Sequence, residues 1–153
     1  MFHIILFAPQ IPPNTGNIIR LSANTGAKLH LIEPIGFRLD EKSCRRAGLD
    51  YHSLANVQIH ENLNACVEML DLARLFAITS HGTKSVFDQK FATGDAFLFG
   101  SETAGLPEQV HSRFTAERKL RLPMIVGNRS LNLANAASIV VYEAWRQIGF
   151  VTT

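Results

Sequence analysis

Apolar residues in this chain come in short blocks cut off by turn formers. Phe2 to Ala8, rich in Ile and Leu and stopped by Pro9, is bounded like a buried strand, and similar runs recur at Lys28 to Ile32, Leu75 to Thr79, Ala96 to Gly100 and Lys119 to Leu122. Several of them are continuous rather than alternating, which points to burial on both faces. Between them the period changes to that of a helix: Asn17 to Thr25 closed by Gly26, Glu41 to Ala47 closed by Gly48, Glu61 to Ala73, a short segment from Pro107, and Asn132 to Ile148 closed by Gly149. This alternation predicts an α/β fold, a mostly parallel sheet with flanking helices.

The last helix has the broadest stripe, with Leu133, Ala137, Val140, Val141, Ala144, Trp145 and Ile148 on one side, and it reads as a core helix. No repeat or linker divides the chain, so residues 1–153 are expected to form a single domain. With 46% apolar and 18% charged residues, and fifteen Lys and Arg against thirteen Asp and Glu, the chain is neither a disordered tail nor uniformly basic. Any nucleic-acid contact must come from local patches. No apolar run reaches the roughly 18 residues of a membrane span, and Met1 to Ala8 lacks the features of a signal peptide, so a cytoplasmic protein is expected. Cys44 and Cys66 match no CxxC pattern and read as free thiols. The six histidines, His3, His30, His52, His60, His81 and His111, show no HExxH pair and no close Cys/His spacing, so no metal is expected.

Three polar clusters stand out, each at the exit of a predicted strand. In Ile11-Pro12-Pro13-Asn14-Thr15-Gly16-Asn17-Ile18-Ile19-Arg20 the prolines stiffen a turn, Asn14 is placed to cap, and Asn17, Arg20 and Asn24 fall on one helix face. Two amides and a guanidinium suit a phosphate or a ribose hydroxyl, although an N-cap with a surface arginine explains the same residues. In Leu98-Phe99-Gly100-Ser101-Glu102-Thr103-Ala104-Gly105-Leu106-Pro107 two glycines bracket small residues and one carboxylate, so the backbone can lie against a flat ligand or simply make a tight crossover. In Leu122-Pro123-Met124-Ile125-Val126-Gly127-Asn128-Arg129-Ser130-Leu131-Asn132, Ser130 and Asn132 stand at a helix start and are candidate caps. In a parallel sheet the three loops converge on one edge, where α/β proteins bind ligands.

The phosphate cradle GxxxxGK[ST], the hydrolase elbow GxSxG and the dinucleotide fingerprint GxGxxG are all missing from these loops. Basic residues gather at Arg38, Lys42, Arg45 and Arg46, and again at Arg113, Arg118, Lys119, Arg121 and Arg129, where Glu117 is the one acid. Such groups are commonly solvated faces, but beside a ligand loop they can track a polyanion backbone.

The three clusters, in this order, resemble the three motifs of the SPOUT methyltransferases, specifically the SpoU branch of RNA ribose 2′-O-methyltransferases. Asn14-Thr15-Gly16-Asn17 with Arg20 looks like the first motif, Phe99-Gly100-Ser101-Glu102 with Gly105-Leu106-Pro107 like the second, and Leu122-Pro123-Met124 with Ser130-Leu131-Asn132 like the third. The resemblance covers nearly the whole chain, residues 1–153, and implies no separate RNA-binding domain of the kind that many relatives carry. It implies a SPOUT α/β-knot with a C-terminal deep trefoil knot, S-adenosyl-L-methionine as cofactor, and a homodimer whose active sites draw on both chains. Within that branch, the small size with Val141-Tyr142-Glu143-Ala144-Trp145-Arg146-Gln147 near the end is similar to the members that methylate the wobble nucleotide, cytidine or uridine 34, of the tRNA anticodon arm. Methylation of ribosomal RNA, or a non-catalytic knotted RNA-binding protein, are the alternatives. The resemblance assigns Ile78, Thr79, Gly100, Leu122, Met124, Ser130 and Leu131 to the cofactor, mostly through the backbone. It places Glu102 and Asn132 nearer the reacting end, makes Arg20 the group acting on the ribose hydroxyl with Asn17 in support, and has Tyr142 line the site. Arg45, Arg46, Arg118, Lys119, Arg121 and Arg129 are the expected RNA contacts. Ala134 stands where SpoU relatives often carry a second serine, so the role of that hydroxyl is not carried over.

Overall fold

The computed structural model describes residues 1–39, 54, 56–70 and 74–151. Seven strands form one sheet among these residues: β1 His3–Phe7, β2 Lys28–Ile32, β3 Val57–His60, β4 Leu75–Ile78, β5 Lys84–Ser85, β6 Ala96–Phe99 and β7 Lys119–Arg121. Their order is β3-β2-β1-β6-β4-β7-β5, and every pair is parallel. The helices are α1 Pro12–Thr25, α2 Leu63–Leu70, α3 Glu108–His111 and α4 Leu133–Gln147. The helix expected over Glu41 to Ala47, with Cys44, Arg45 and Arg46, lies outside the described residues, as does the expected end of α2.

Strand alternation explains the continuous apolar runs, because each face of the sheet has its own core. Ile4, Leu6, Leu29, Leu31, Phe76, Phe97 and Phe99 share one cluster with Ile18 and Ile19 of α1 and with Ala137, Val140, Val141 and Ala144 of α4. Ile5, Ile32, Ala77 and Leu98 point the other way, into a cluster with Leu63 and Cys66 of α2 and Val110 of α3. Each fully buried Leu, Ile or Phe contributes about 1.5–3 kcal/mol by leaving water. At the amino-terminal edge Arg74 forms a bidentate pair with the buried Asp95, at 2.6 and 2.9 Å, tying the start of β4 to the start of β6.

Two departures from the sequence pattern matter for the site. Helix α1 begins at Pro12 rather than near Asn17, since proline in a first turn gives up no hydrogen bond. Asn14 is therefore not the cap. The capping position is Ile11, which makes no side-chain cap bond, and Asn14 is buried one turn in. The edge strands β3 and β5 were not legible in the pattern, because β3 is mostly exposed and β5 has two residues. Short edges also discourage pairing with other chains.

On the α2 side the register lines up three histidines across β1, β2 and β3. His3 Nδ1 lies 3.0 Å from His30 Nε2, and His30 Nδ1 lies 3.0 Å from His60 Nε2. Burial, reinforced by the flanking imidazoles and Lys28, pushes His30 down to about 3. Burial lowers His3 and His60 as well, so the ladder is neutral at pH 7. Cys66, free and fully buried, is pushed up to about 11 by the same desolvation. Strand register and the packing of α2 on the sheet have thus brought together Cys and His residues whose linear spacing gave no sign of it. No helix among the described residues is long and apolar enough to cross a membrane.

Candidate cofactor and active site

The carboxyl ends of β4, β6 and β7 open into loops that close around one cleft of about 290 Å³. Its floor and walls include Ile78 at the end of β4 and Thr79 after it, Gly100 to Leu106 after β6, and Leu122, Met124, Ser130 and Leu131 between β7 and α4. All seven residues expected at the cofactor thus line a single cavity. Among the described residues no Lys or Arg lines it, which suits a flat, sugar-bearing ligand without phosphates. An adenosyl group has that chemistry, and the small residues and glycines of the loops leave their main chain accessible to it.

The middle loop is held by its own backbone. Ser101 and Gly105 exchange N–H to carbonyl bonds at 3.2 and 2.9 Å, and Gly105 takes the left-handed φ of +67° that favours glycine. A Cβ on Gly100 would collide with the main chain of Gly105 and Leu106. Of the two readings open for these glycines, a surface for a flat ligand or a tight crossover, the second accounts for Gly100, because the loop folding back on itself demands a glycine there.

Glu102 is the polar centre of the site. One carboxylate oxygen accepts from the Gln10 N–H at 2.8 Å, and the other accepts from the Ile11 N–H at 3.0 Å and from Asn14 Nδ2 at 3.3 Å. A carboxylate at the start of α1 also complements the positive end of the helix. Asn14 Oδ1 in turn accepts from Asn132 Nδ2 at 2.8 Å, while Asn132 Oδ1 accepts from the N–H groups of Ala134 and Asn135 and so caps α4. One residue from each cluster therefore joins a single network. Glu102 lines the cleft with both oxygens engaged, which makes it a clamp on the first loop rather than a base awaiting a proton.

The other expected residues are placed as follows. Asn17, Arg20 and Asn24 share the exposed face of α1, as their spacing requires. Tyr142 is exposed on α4, edge-on to Trp145 at 5.7 Å, and ten residues beyond Asn132, or about 15 Å along the helix. It does not line the cleft of its own chain. Arg121 and Arg129 are exposed, whereas Lys119 is half-buried. Arg118 turns inward, its guanidinium 4.8 Å from the centre of the Phe76 ring, a contact that packs its stem rather than presenting the charge. Sequence reading missed Asn14 as the hub, and it missed His81 and His111, whose rings meet edge to face at 5.4 Å in the cleft wall. Burial, followed by the neighbouring His81, lowers His111, so it is a neutral hydrogen-bonding group at pH 7. The visible signal for His81 was its position just after a predicted strand.

Comparison with known proteins agrees with this arrangement. The model of the SpoU rRNA Methylase family matches residues 1–142, and the chain belongs to that family. Among its relatives, a tRNA (cytidine(34)-2′-O)-methyltransferase of Burkholderia ambifaria is 59% identical over 152 residues, covering 98% of this chain and 97% of that protein. The Escherichia coli K12 protein of the same description is 52% identical over 150 residues, covering 98% and 96%. A solved structure concerned with 2-OH methylation of C/U34 on tRNA superposes with a TM-score of 0.89 at 43% identity, covering 97% of both chains. The SpoU methyltransferase AviRb from Streptomyces viridochromogenes, solved in complex with the cofactor AdoMet, superposes at 0.82 with 28% identity, covering 95% of this chain and 60% of that one.

Proposed function

We propose that this protein transfers a methyl group from S-adenosyl-L-methionine to the ribose 2′-hydroxyl of the wobble nucleotide, cytidine or uridine 34, in the tRNA anticodon arm. The observation that carries this reading is the joining of the three polar loops by Glu102, Asn14 and Asn132, with Glu102 itself lining the cleft. The chain that builds it is 52–59% identical, over nearly its whole length, to proteins of that description. When bound, the cofactor supplies an electrophilic methyl group on a sulfonium.

The chain's own task is to hold and orient. Ile78, Leu122, Leu131 and the Gly100 to Leu106 loop would enclose the adenosyl group and exclude water from it. Arg20 would engage the phosphate beside the target ribose and stabilise negative charge as it develops on the oxygen; a guanidinium stays protonated and is no general base. Asn17, one turn earlier on the same exposed face, would support it. Arg121 and Arg129 are the better placed of the expected RNA contacts, being exposed next to the third loop.

A homodimer fits the exposed apolar positions Ile139 and Tyr142 of α4 and Ile11 before α1, which form no part of either core of this chain. In such a dimer Tyr142 and Arg20 would serve the partner's cleft. The trefoil knot and a cytoplasmic location belong to the same proposal.

Incubation with labelled cofactor and, separately, total tRNA and ribosomal RNA tests the reading. Label on nucleotide 34 of tRNA is expected. Label confined to ribosomal RNA would overturn it in favour of ribosomal RNA ribose methylation. Arg20→Ala should lose about a hundredfold or more in kcat while keeping cofactor affinity by calorimetry, and Arg20→Lys should recover little.

A further inference from the structure

The histidine ladder is not used by the proposed reaction, yet it ends beside a thiol in a way that has its own chemistry. His30 and His60 sit on β2 and β3, and Cys66 sits in the first turn of α2, which Asn62 caps through its side chain to the Ala65 N–H at 2.9 Å. One ligating atom from each of His30, His60 and Cys66 falls within 4.8 Å of the other two, and all three residues are buried. None lines the cleft.

We propose that His30, His60 and Cys66 form a site for one soft or borderline transition-metal ion, of the copper(I) or zinc(II) class. Two imidazoles and a thiolate select such ions, and the trio contains no carboxylate of the kind that favours magnesium or calcium. The outer arrangement is also that of a metal site. His30 turns Nε2 to His3 and Nδ1 towards His60, so a proton on Nε2 donated to His3 leaves Nδ1 a lone pair for the ion. A ligating histidine held through its other nitrogen is the usual second layer of a metal centre. Ligand nitrogens about 2.0–2.1 Å from a zinc ion stand only a few tenths of an ångström farther apart than the 3.0 Å between His30 and His60, so a small displacement admits the ion.

Binding breaks the Cys66 S–H bond and forms a sulfur–metal bond, and the proton leaves to solvent with no change of oxidation state. A single thiolate neutralises a monovalent ion completely and leaves one positive charge on a divalent one, so in this dry setting copper(I) is the better matched of the two. The ion would fasten α2 and the edge strand β3 to the sheet. This inference stands apart from the methyl-transfer reading.

The test uses the full chain carrying Cys44→Ser, so that Cys66 is its one remaining cysteine. Metal-stripped protein is titrated with cobalt(II), as a spectroscopic stand-in for zinc, and anaerobically with copper(I) against a chromogenic chelator. One equivalent should bind, with one proton released per ion, and cobalt should give a thiolate charge-transfer band in the near ultraviolet. Cys66→Ala and His60→Gln should each lower affinity by at least about a hundredfold, and His3→Ala, which spares the ligands, by about tenfold to a hundredfold. Binding of copper(I) but not cobalt(II) would support the site and fix its ion. Failure of both ions to bind protein with an intact circular dichroism spectrum would overturn the proposal. So would a charge-transfer band that survives in folded Cys66→Ala, and the His60→Gln titration decides the matter should Cys66→Ala not fold.

Discussion

Two chains of polar side chains run through this molecule, and they are built on opposite principles. Glu102, Asn14 and Asn132 join loops and helix starts, each satisfying main-chain groups or amides that would otherwise lack partners at the cleft. His3, His30 and His60 join strands already fixed by the sheet ladder, and their geometry follows from register alone. The first network creates the order of its surroundings, while the second inherits it. Polar groups that organise a cleft should therefore be felt in activity and in loop order, and polar groups laid on strands should be felt in the pH dependence of stability.

The largest effect should come from Glu102→Ala. It removes the acceptor for two main-chain N–H groups and an amide, and bonds to a charged acceptor contribute about 1.5–3 kcal/mol each. Denaturant melts should show a loss of about 2–4 kcal/mol after partial rehydration of the orphaned groups, and kcat/KM for methyl transfer should fall by about a hundredfold or more because the first loop loses its anchor. Near-normal turnover would break the contrast between the two networks.

Gly100→Ala is next. The added methyl meets the backbone of Gly105 and Leu106, so the loop must open, and a cost of about 1–3 kcal/mol is expected from overpacking. Cofactor affinity measured by calorimetry should drop with it. Unchanged stability and affinity would mean that the loop is looser than its own hydrogen bonds imply.

The ladder should answer to acid instead. His30 sits at about 3 in the folded protein against 6.5 for the free side chain, so between those values the unfolded chain holds more protons. Its stabilising contribution is complete above about pH 6.5 and is lost as pH falls towards 3, with a slope of at most about 1.4 kcal/mol per pH unit. His30→Gln should flatten the stability curve in that window when melts of the two proteins are compared, whatever its absolute stability. Parallel curves would remove His30 as the titrating group.

The smallest and most specific effect is the coupling of Asn14 to Asn132. A double-mutant cycle to Ala should return an interaction of about 0.5–1.5 kcal/mol, as expected for one neutral hydrogen bond. Additive single mutants would show that Asn132 acts through its helix cap alone.

The positions of five of the seven strands could be read from apolar runs, and the bounds of β2 were plain because Lys28 to Ile32 is flanked by turn formers. Gly26 and Gly149 marked helix ends for a conformational reason, both taking positive φ. What stayed hidden was set by distant partners. Pro12 and Pro13 looked like a stiff turn because a helix start there needs an anchor, and that anchor, Glu102, is more than ninety residues away from Gln10. Arg118 counted as a surface charge because nothing local shows that Phe76 lies beneath it. The histidine ladder was equally invisible, since strand register rather than spacing makes it.

The bond between Asn14 and Asn132 spans 118 residues, and this separation has a consequence for how the protein is made. A chain synthesised from its amino terminus produces α1 long before either Glu102 or Asn132 exists, and β1 must wait for β6 to fill one of its two sides. The first third of the molecule therefore leaves the ribosome with the interior strand β1 half paired and its first helix unanchored. Contacts of such long range slow folding, because loop closure is costly before the contacts repay it. During that interval the unpaired edge of β1 from Ile4 to Leu6 is open to other chains, so the time between synthesis and closure is when the chain is most exposed to aggregation.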